Sequence, residues 1–209
     1  MSRTAVLDLF AEDQAHEEVV GAIVRRVARD EGVSIELRVR RARGGHGRAN
    51  SELRIYQRSL TEGIPGLNFP DLLVVAIDAN CKRYAAARKE IEGVLQGGLR
   101  NLAAIACPDP HIERWCLVDP ASFQKVVGVS PKMPRRKCQR DAYKKVLSES
   151  VKLGGHVPTL GGIEFAADLV EAMDLYRADK ADRSLKAFIE ELQGRFRNLG
   201  ASASEGATT

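Results

Sequence analysis

The sequence predicts an α/β fold with about four strands in a largely parallel sheet, helices on both faces, and a helical C-terminal extension. Three observations support this prediction. Strand-like and helix-like segments alternate through the first half of the chain. The run 72–77 is short and continuously apolar, as expected for a strand that is buried on both faces. From His111 onward the pattern is helical, with no convincing strand.

The first half supplies the sheet. A strand is predicted at 5–11, followed by a helix at 13–30 whose apolar positions have helical spacing and which Gly32 ends. Alternating apolar and polar residues at 33–39 predict a half-exposed strand. After a loop at 43–48, Asn50 is a candidate cap for the next helix, and 63–70 is rich in turn-forming residues. The remaining predicted elements are a strand at 72–77, a helix at 84–95 and a strand at 102–107.

The second half is predicted to be helical. Apolar spacing favours helices at 112–118, 120–127, 141–153, 163–176 and 184–199. We therefore expect an α/β domain over 1–128 and a helical extension over 129–199 that packs on the same domain. The small, polar residues of 200–209 predict a disordered tail.

The amino-acid composition indicates the broad class of protein. The 209 residues are 44% hydrophobic and 29% charged, which is typical of one soluble globular domain. No apolar run approaches the ~20 residues of a membrane span, and the N-terminus lacks the apolar core of a signal peptide. The four cysteines lack metal-site spacing, so we expect reduced thiols and a cytoplasmic location. A net charge of +4 permits nucleic-acid binding without requiring it.

Acidic residues follow two of the predicted strands. Glu12 ends the first apolar run, and Asp78 ends the buried one, with Asn80 two residues later. Ligands of open α/β sheets bind beyond the carboxyl ends of the strands. Oxygen-bearing side chains there suit a hard cation such as Mg²⁺, which takes few protein carboxylates. The alternative for Asp78 and Asn80 is an ordinary turn after a strand, where Asp and Asn are favoured.

The segment after the first strand has two interpretations. Glu12 and His16 are one helical turn apart if the helix begins early, and both side chains would then face one site. Alternatively, Asp13 caps the helix while Glu12, Glu17 and Glu18 complement its dipole.

Glu113 is a third acidic candidate, because it follows the fourth strand closely. The alternative is a surface glutamate paired with a nearby arginine. Trp115, the only tryptophan, is either a packing anchor or a residue that stacks on a ligand; packing is the commoner role.

Two basic clusters are candidates for contacts with nucleic-acid phosphates. The first lies in and around a glycine-rich loop, and the second precedes the 141–153 helix. A solvated charged loop is the alternative for each. The loop Gly44–Gly47 lacks the Lys-Ser/Thr ending of a Walker A motif. The proposed contacts are Arg41, Arg43, His46, Arg48, Arg135, Arg136 and Lys137.

Four stretches together resemble the Toprim domain of topoisomerases, primases and nucleases related to overcoming-lysogenization-defect (OLD) proteins. Within that group, the chain is most similar to small stand-alone bacterial Toprim-like proteins. The most specific match is 112–120, which resembles the Ile-Glu-x-Trp-Leu-Leu-x-Asp stretch of the family. The resemblance covers roughly residues 4–128. The four stretches are Phe10-Ala11-Glu12-Asp13, Gly44-Gly45-His46-Gly47, 75–80 and 112–120.

The resemblance implies roles for individual residues. Glu12 matches the Toprim glutamate, a metal ligand or general acid/base, and Asp78 matches the first Asp of the Asp-x-Asp motif. Asn80 stands where the second Asp is expected, which removes one negative charge from the site. Glu113 matches the later acidic residue. His16, with Glu17 beside it, stands near a further acidic position of the nuclease pattern, so the resemblance makes both of them candidate metal ligands as well.

Two functions from different classes follow from this comparison. The first is a metal-dependent nuclease that uses Mg²⁺ or Mn²⁺ held by Glu12, Asp78, Asn80 and Glu113, with Glu12, Asp78 and Glu113 catalytic. The resemblance implies antiviral defence in bacteria, with a partner ATPase or homo-oligomerisation and no membrane. The second is a non-catalytic Toprim-like module that binds nucleic acid or a partner ATPase. A phosphotransfer receiver domain is a distant third, because the chain lacks the final strand that would carry its lysine.

Overall fold

The computed structural model describes residues 3–139 and 141–205, except the side chains of residue 46 and of 202–205. Four strands form one sheet in the order β2-β1-β3-β4, and every neighbouring pair is parallel. The predicted α/β class with a helical C-terminal region is confirmed. The strands are β1 (Ala5–Ala11), β2 (Ile35–Arg41), β3 (Leu72–Ala76) and β4 (Ala103–Ala106).

The parallel register brings the carboxyl ends of the strands together. Ala11 lies between Arg41 of β2 and Ala76 of β3, and Ala76 is paired with Ala106 of β4. All residues of β3 and β4 are buried, because helices cover both faces of the sheet. Parallel sheets covered in this way have continuously apolar central strands. The segments that follow β1, β3 and β4 therefore emerge side by side at one edge.

Three helices cover one face of the sheet, and the others cover the opposite face. The first face packs against α2 (His46–Thr61), α3 (Tyr84–Val94) and α4 (Gly97–Asn101). On the opposite face, α1 and the C-terminal helices share one continuous apolar core with the sheet. The helices of that face are α1 (Gln14–Asp30), α5 (Glu113–Leu117), α6 (Pro120–Val127), α7 (Ala142–Leu153), α8 (Ala166–Ala172), α9 (Leu175–Ala181) and α10 (Arg183–Glu205).

Two of the predicted helices differ from the structure. Helix α2 begins at His46 rather than after Asn50, because Gly45 takes the N-cap with a positive φ of 60°. The predicted helix 163–176 is divided into a 3-10 turn at Ile163–Phe165 and the helices α8 and α9. Met173 is extended between them, and the Asp174 carboxylate caps α9 by accepting from the Arg177 N–H.

The last helix, α10, continues to Glu205 and so includes part of the segment 200–209 that was expected to be disordered. Residues 206–209 lie outside the described residues. Within the described part of the chain, no helix combines the length and the apolar character needed to cross a membrane.

Candidate functional site

The segments beyond β1, β3 and β4 surround a cleft of about 390 Å³ at the carboxyl edge of the sheet. Helix α7 and the segment before it form the outer wall. Five carboxylates line the cleft, from Glu12, Asp13, Asp78, Glu113 and Asp141, together with the cationic or titratable side chains of His111 and Lys144. The cleft therefore carries an excess of acidic groups.

The two acidic strand ends are in direct contact. The carboxylate oxygen Oε2 of Glu12 accepts a hydrogen bond of 3.1 Å from the backbone N–H of Asp78. The backbone N–H of Glu12 in turn donates to the carbonyl of Ala76 at 2.9 Å, which extends the pairing of β1 with β3 by one residue. Glu12 is buried, so its carboxylate is held against the end of β3.

The Asp78 carboxylate lies between two imidazoles. Its Oδ1 is 3.0 Å from Nε2 of His16, and its Oδ2 is 3.1 Å from Nδ1 of His111. Burial raises the pKa of Asp78, but the charge of His16 and the hydrogen bond to His111 outweigh it, so that the pKa lies below its usual value. For His111, the hydrogen bond to Asp78 raises the pKa above 6.5. The carboxylate and the imidazolium stabilise each other's charges.

His16 is enclosed by carboxylates. Its Nδ1 is 2.8 Å from Oδ1 of Asp13, and its Nε2 contacts Asp78. Burial lowers the pKa of His16, but the charge of Asp78 and the hydrogen bond to Asp13 raise it well above 6.5. The same contact lowers the pKa of Asp13 to about 2, against the opposing effect of burial.

This environment changes the expected role of His16. Both ring nitrogens are occupied, and the ring is fully buried, so neither nitrogen is available to the metal that the sequence assigned to it. His16 instead orients Asp78. Asp13 caps α1 by accepting from the backbone N–H of His16, as the alternative interpretation of this segment predicted. Glu17, also a predicted ligand, forms an ion pair with Arg41 at 2.8 Å and does not line the cleft.

The backbone after β3 is bound to the segment that carries His111. The N–H groups of Ala79 and Asn80 donate to the carbonyls of Pro108 and Pro110 at 2.8 and 3.0 Å. Asn80 and Cys81 both have positive φ, of 49° and 63°. Because Asn tolerates the left-handed region better than most residues, this turn explains an asparagine at position 80 without reference to ligand binding. Its side chain still lines the cleft.

Glu113 is buried at the start of α5, so the interpretation as a surface glutamate is wrong. Its Oε1 is 3.7 Å from Nζ of Lys144 on α7. Its Oε2 is buried and has no hydrogen-bond partner among the described residues. Burial raises the pKa of Glu113, and the charge of Asp78 adds to the effect. A buried oxygen without a partner in an acidic cleft is a plausible acceptor for a proton or a cation.

Trp115 is a packing anchor and does not reach a ligand. It is fully buried, stacks on Phe188 of α10 with ring centroids 5.7 Å apart, and donates from Nε1 to the hydroxyl of Ser184 at 3.1 Å. The stretch 112–120, the most specific match to the family, therefore contributes Trp115 to the core as well as Glu113 to the cleft.

None of the predicted phosphate contacts with a described side chain lines the acidic cleft. Arg41 is engaged by Glu17, and the loop at Arg43 is held by Glu52, whose carboxylate accepts from the backbone N–H groups of Arg43 and Gly44. The side chain of His46 is outside the described part. The remaining predicted contacts, at Arg48, Arg135, Arg136 and Lys137, are exposed, with Lys137 bound to Asp109 at 2.6 Å.

The Toprim resemblance implies a divalent metal, and the side chains of the cleft decide whether one would fit. In the described part of the chain, no three His, Cys, Asp or Glu side chains are arranged to hold a metal ion. Mg²⁺, however, usually takes only one or two carboxylates and keeps several waters. The unpartnered Oε2 of Glu113 suits such an ion, and an ionised carboxylate such as Asp78 has lone pairs beyond those used by two imidazoles. The donors therefore fit a hydrated cation with few protein ligands.

Sequence reasoning missed several members of the site. His111 follows β4 directly and precedes Glu113 by two residues, and this position was the available signal. Asp141 and Lys144 come from a distant helix, and only the packing of α5 against α7 brings them to the cleft. Searches of protein-family models, curated proteins and solved structures found no match to this chain.

Proposed function

We propose that the chain is a divalent-metal-dependent phosphodiesterase of Toprim type that cleaves nucleic acid. One observation carries the proposal. Carboxylates from three strand ends, Glu12, Asp78 and Glu113, line one cleft, and Glu113 presents a buried oxygen that has no partner among the described residues. Acidic groups converging at the carboxyl edge of a parallel sheet are a plausible place for cation-assisted phosphate chemistry.

Glu12, Asp78, Asn80 and Glu113 are the residues that would hold Mg²⁺ or Mn²⁺. When bound, the ion supplies an activated water and stabilises charge on the phosphodiester oxygens. Hard oxygen ligands favour Mg²⁺, and Mn²⁺, which also suits carboxylate, amide and water oxygens, is a second candidate.

His111 is the proposed general acid. Asp78 fixes its Nδ1, while its Nε2 makes no hydrogen bond within the described structure, and the ring lines the cleft. Because its pKa is raised, the ring is protonated at a higher pH than a free histidine would be. A protonated Nε2 can donate to the leaving oxygen of a phosphodiester. Lys144 on α7 adds a second positive charge to the cleft.

A non-catalytic module that binds nucleic acid or a partner ATPase is the second candidate. One observation favours it: both oxygens of Asp78 already accept contacts from imidazoles, and Asn80 provides no negative charge. In that case the acidic cluster would be structural, and the protein would bind without cleavage.

Cleavage of single- and double-stranded DNA and RNA, with Mg²⁺ or Mn²⁺ and with EDTA, tests the proposal. We expect metal-dependent cleavage that Asp78→Asn and Glu113→Gln each lower by at least ~10²-fold. Glu149→Gln, which removes an exposed carboxylate from α7, is the matched control and should retain activity. Equal activity of wild type and the two cleft variants would exclude catalysis at this site.

Calorimetric titration with Mn²⁺ separates the two candidates. Saturable binding that Glu113→Gln removes supports the phosphodiesterase. Absence of saturable binding, together with retained affinity for nucleic acid, supports the non-catalytic module. A role in bacterial antiviral defence from the cytoplasm belongs to the same proposal, and phage plating on cells that express wild type or Asp78→Asn tests it.

A further inference from the structure

A second groove, of about 650 Å³, lies beside the acidic cleft and differs from it in charge. Its walls are the start of α3, the start of α10 and the segment that holds Lys137. Five cations line it and three carboxylates oppose them, which gives an excess of two positive charges. The cations are Arg83, Arg88, Arg114, Lys137 and Arg183; the carboxylates are Glu92, Asp109 and Asp182.

Three of the five cations are already neutralised. Arg88 is paired with Glu92 and with Glu191, at 2.9 and 2.8 Å. Arg114 is bound to Asp182, and Lys137 to Asp109.

Arg83 and Arg183 are different. Both are exposed, and neither side chain has a hydrogen bond or ion pair within the described structure. The positive excess of the groove therefore resides on these two guanidinium groups. Unpaired guanidinium groups are well suited to phosphate, which they can bind through two parallel hydrogen bonds.

Two segments of the chain contribute residues to both the cleft and the groove. Cys81 lines the cleft, and Arg83, two residues later, lines the groove. In the second segment, Cys138, whose thiol contacts that of Cys81, lines the cleft, and the adjacent Lys137 lines the groove. Consecutive Cα atoms are about 3.8 Å apart, so in each segment a residue that lines the groove lies within about 8 Å, Cα to Cα, of a residue that lines the cleft.

We propose that this groove binds the backbone phosphates of the nucleic-acid strand whose reacting phosphodiester lies in the acidic cleft. Arg83 and Arg183 are the phosphate contacts. This inference rests on the proposed function and specifies where its substrate runs. The acidic cleft alone repels a polyanion, whereas an adjoining basic groove provides the attraction that holds the strand in place.

Binding of a fluorescent single-stranded DNA 20-mer, measured by anisotropy in EDTA between 50 and 200 mM salt, tests the proposal without catalysis. The test variant is Arg83→Gln/Arg183→Gln. We expect its affinity at the lowest salt to fall at least tenfold. The slope of log K against log salt should become shallower by about 1.4, because each phosphate contact on a single strand contributes about 0.7.

The matched control is Arg25→Gln/Lys125→Gln, which also removes two exposed cations with no ion pair inside the described structure, but outside the groove. It should lower affinity less than threefold. Arg83→Lys/Arg183→Lys keeps the charges and should retain most of the salt dependence. Circular dichroism spectra that match wild type establish that each variant is folded.

Wild-type affinity and slope in the Gln pair, or an equal loss in the control, would overturn the groove proposal. A mononucleotide that binds as tightly as the 20-mer, through the same two arginines, would also overturn it in favour of a small-ligand site. Failure of the proposed function would look different. If DNA binds through the two arginines but is not cleaved with any metal, phosphate binding in the groove is supported and the phosphodiesterase activity is excluded.

Discussion

Two aspartates, one within a strand and one beyond the end of the neighbouring strand, show how one residue type serves two purposes. Asp8, in the middle of β1, is fully buried; its carboxylate is 2.6 Å from Nε of Arg38 and accepts a hydrogen bond from the Tyr56 hydroxyl. Asp78, beyond the end of β3, has a side chain 11% exposed and is held by His16 and His111. The first lies within the sheet, and the second opens into a cleft.

The difference lies in the partners. Arg38 stays charged at every pH at which the protein is folded, and burial together with the Asp8 contact keeps the pKa of Tyr56 above its usual range. The contacts of Asp8 therefore do not change with pH. Both partners of Asp78 are imidazoles that can gain or lose a proton. A carboxylate with permanent partners is suited to structure, and one with titratable partners at a cleft is suited to chemistry.

The largest expected effect comes from Asp8→Asn. Breaking a buried ion pair leaves the remaining charge without its partner, which typically costs about 3–5 kcal/mol. We expect a loss in that range in the free energy of unfolding, measured with urea, and nearly the same loss at pH 5.5 and pH 8.5. Glu36→Gln, an exposed carboxylate on the adjacent β2, is the control and should stay within about 0.5 kcal/mol of wild type. A loss below 1 kcal/mol for Asp8→Asn would show that the pair is not structural.

Asp78→Asn is expected to cost less, and its cost should depend on pH. The folded pKa of His16 lies above the unfolded value of 6.5. The stability that protonated His16 contributes is therefore complete below about pH 6.5 and is lost as pH rises through the folded pKa. Without Asp78, buried His16 can become neutral, which limits the cost. We expect a loss of about 2 kcal/mol at pH 5.5 and a smaller one at pH 9, in urea unfolding.

A cost of Asp78→Asn that stays constant with pH, as for Asp8→Asn, would contradict the distinction between the two aspartates. The His16 ring signal, followed by NMR, provides the independent check. Its pKa should lie above 6.5 in wild type and fall in Asp78→Asn.

The sheet could be predicted because its central strands are apolar, without interruption in β3 and with Asp8 as the one exception in β1. Ala5–Ala11 and the start of β3 at Leu72 were placed correctly, since burial on both faces leaves a clear pattern. The start of α2 could not be predicted. Gly45 provides no side-chain cap, while Asn50, which looked like one, lies inside the helix. Likewise, the helix break at Met173 could not be predicted from a Gly or Pro, because neither residue occurs there.

The candidate site was predictable only where strand ends define it. Glu12, Asp78 and Glu113 follow β1, β3 and β4, so parallel topology alone brings them to one edge. The sequence could not show that His16 would face Asp78, because that contact depends on how α1 packs on the sheet. Nor could it separate the neutralised Lys137 from the unpaired Arg83, since ion pairing is a property of the folded surface.

The smallest expected effect concerns Asp13, which both caps α1 and contacts His16. Asp13→Ala removes both interactions, whereas Asp13→Ser keeps a capping oxygen and removes the charge. Loss of an N-cap typically costs about 1 kcal/mol, so at pH 7 we expect Asp13→Ala to be less stable than Asp13→Ser by about that amount.

Both Asp13 variants should also lower the pKa of His16 without bringing it to 6.5, because the charge of Asp78 contributes more than Asp13 does. In wild type the pKa of Asp13 is about 2, so its contribution to stability is present above about pH 3.8 and declines as the pH falls toward 2. Urea unfolding between pH 2 and pH 7 measures this decline as the difference in stability between wild type and either variant, which should shrink as the pH falls. Equal stability of the Ser and Ala variants would mean that the cap contributes nothing. An unchanged His16 pKa would mean that Asp78 alone raises it. The contrast with Asp8 would then depend only on Asp78 and its two imidazole partners, with no contribution from Asp13.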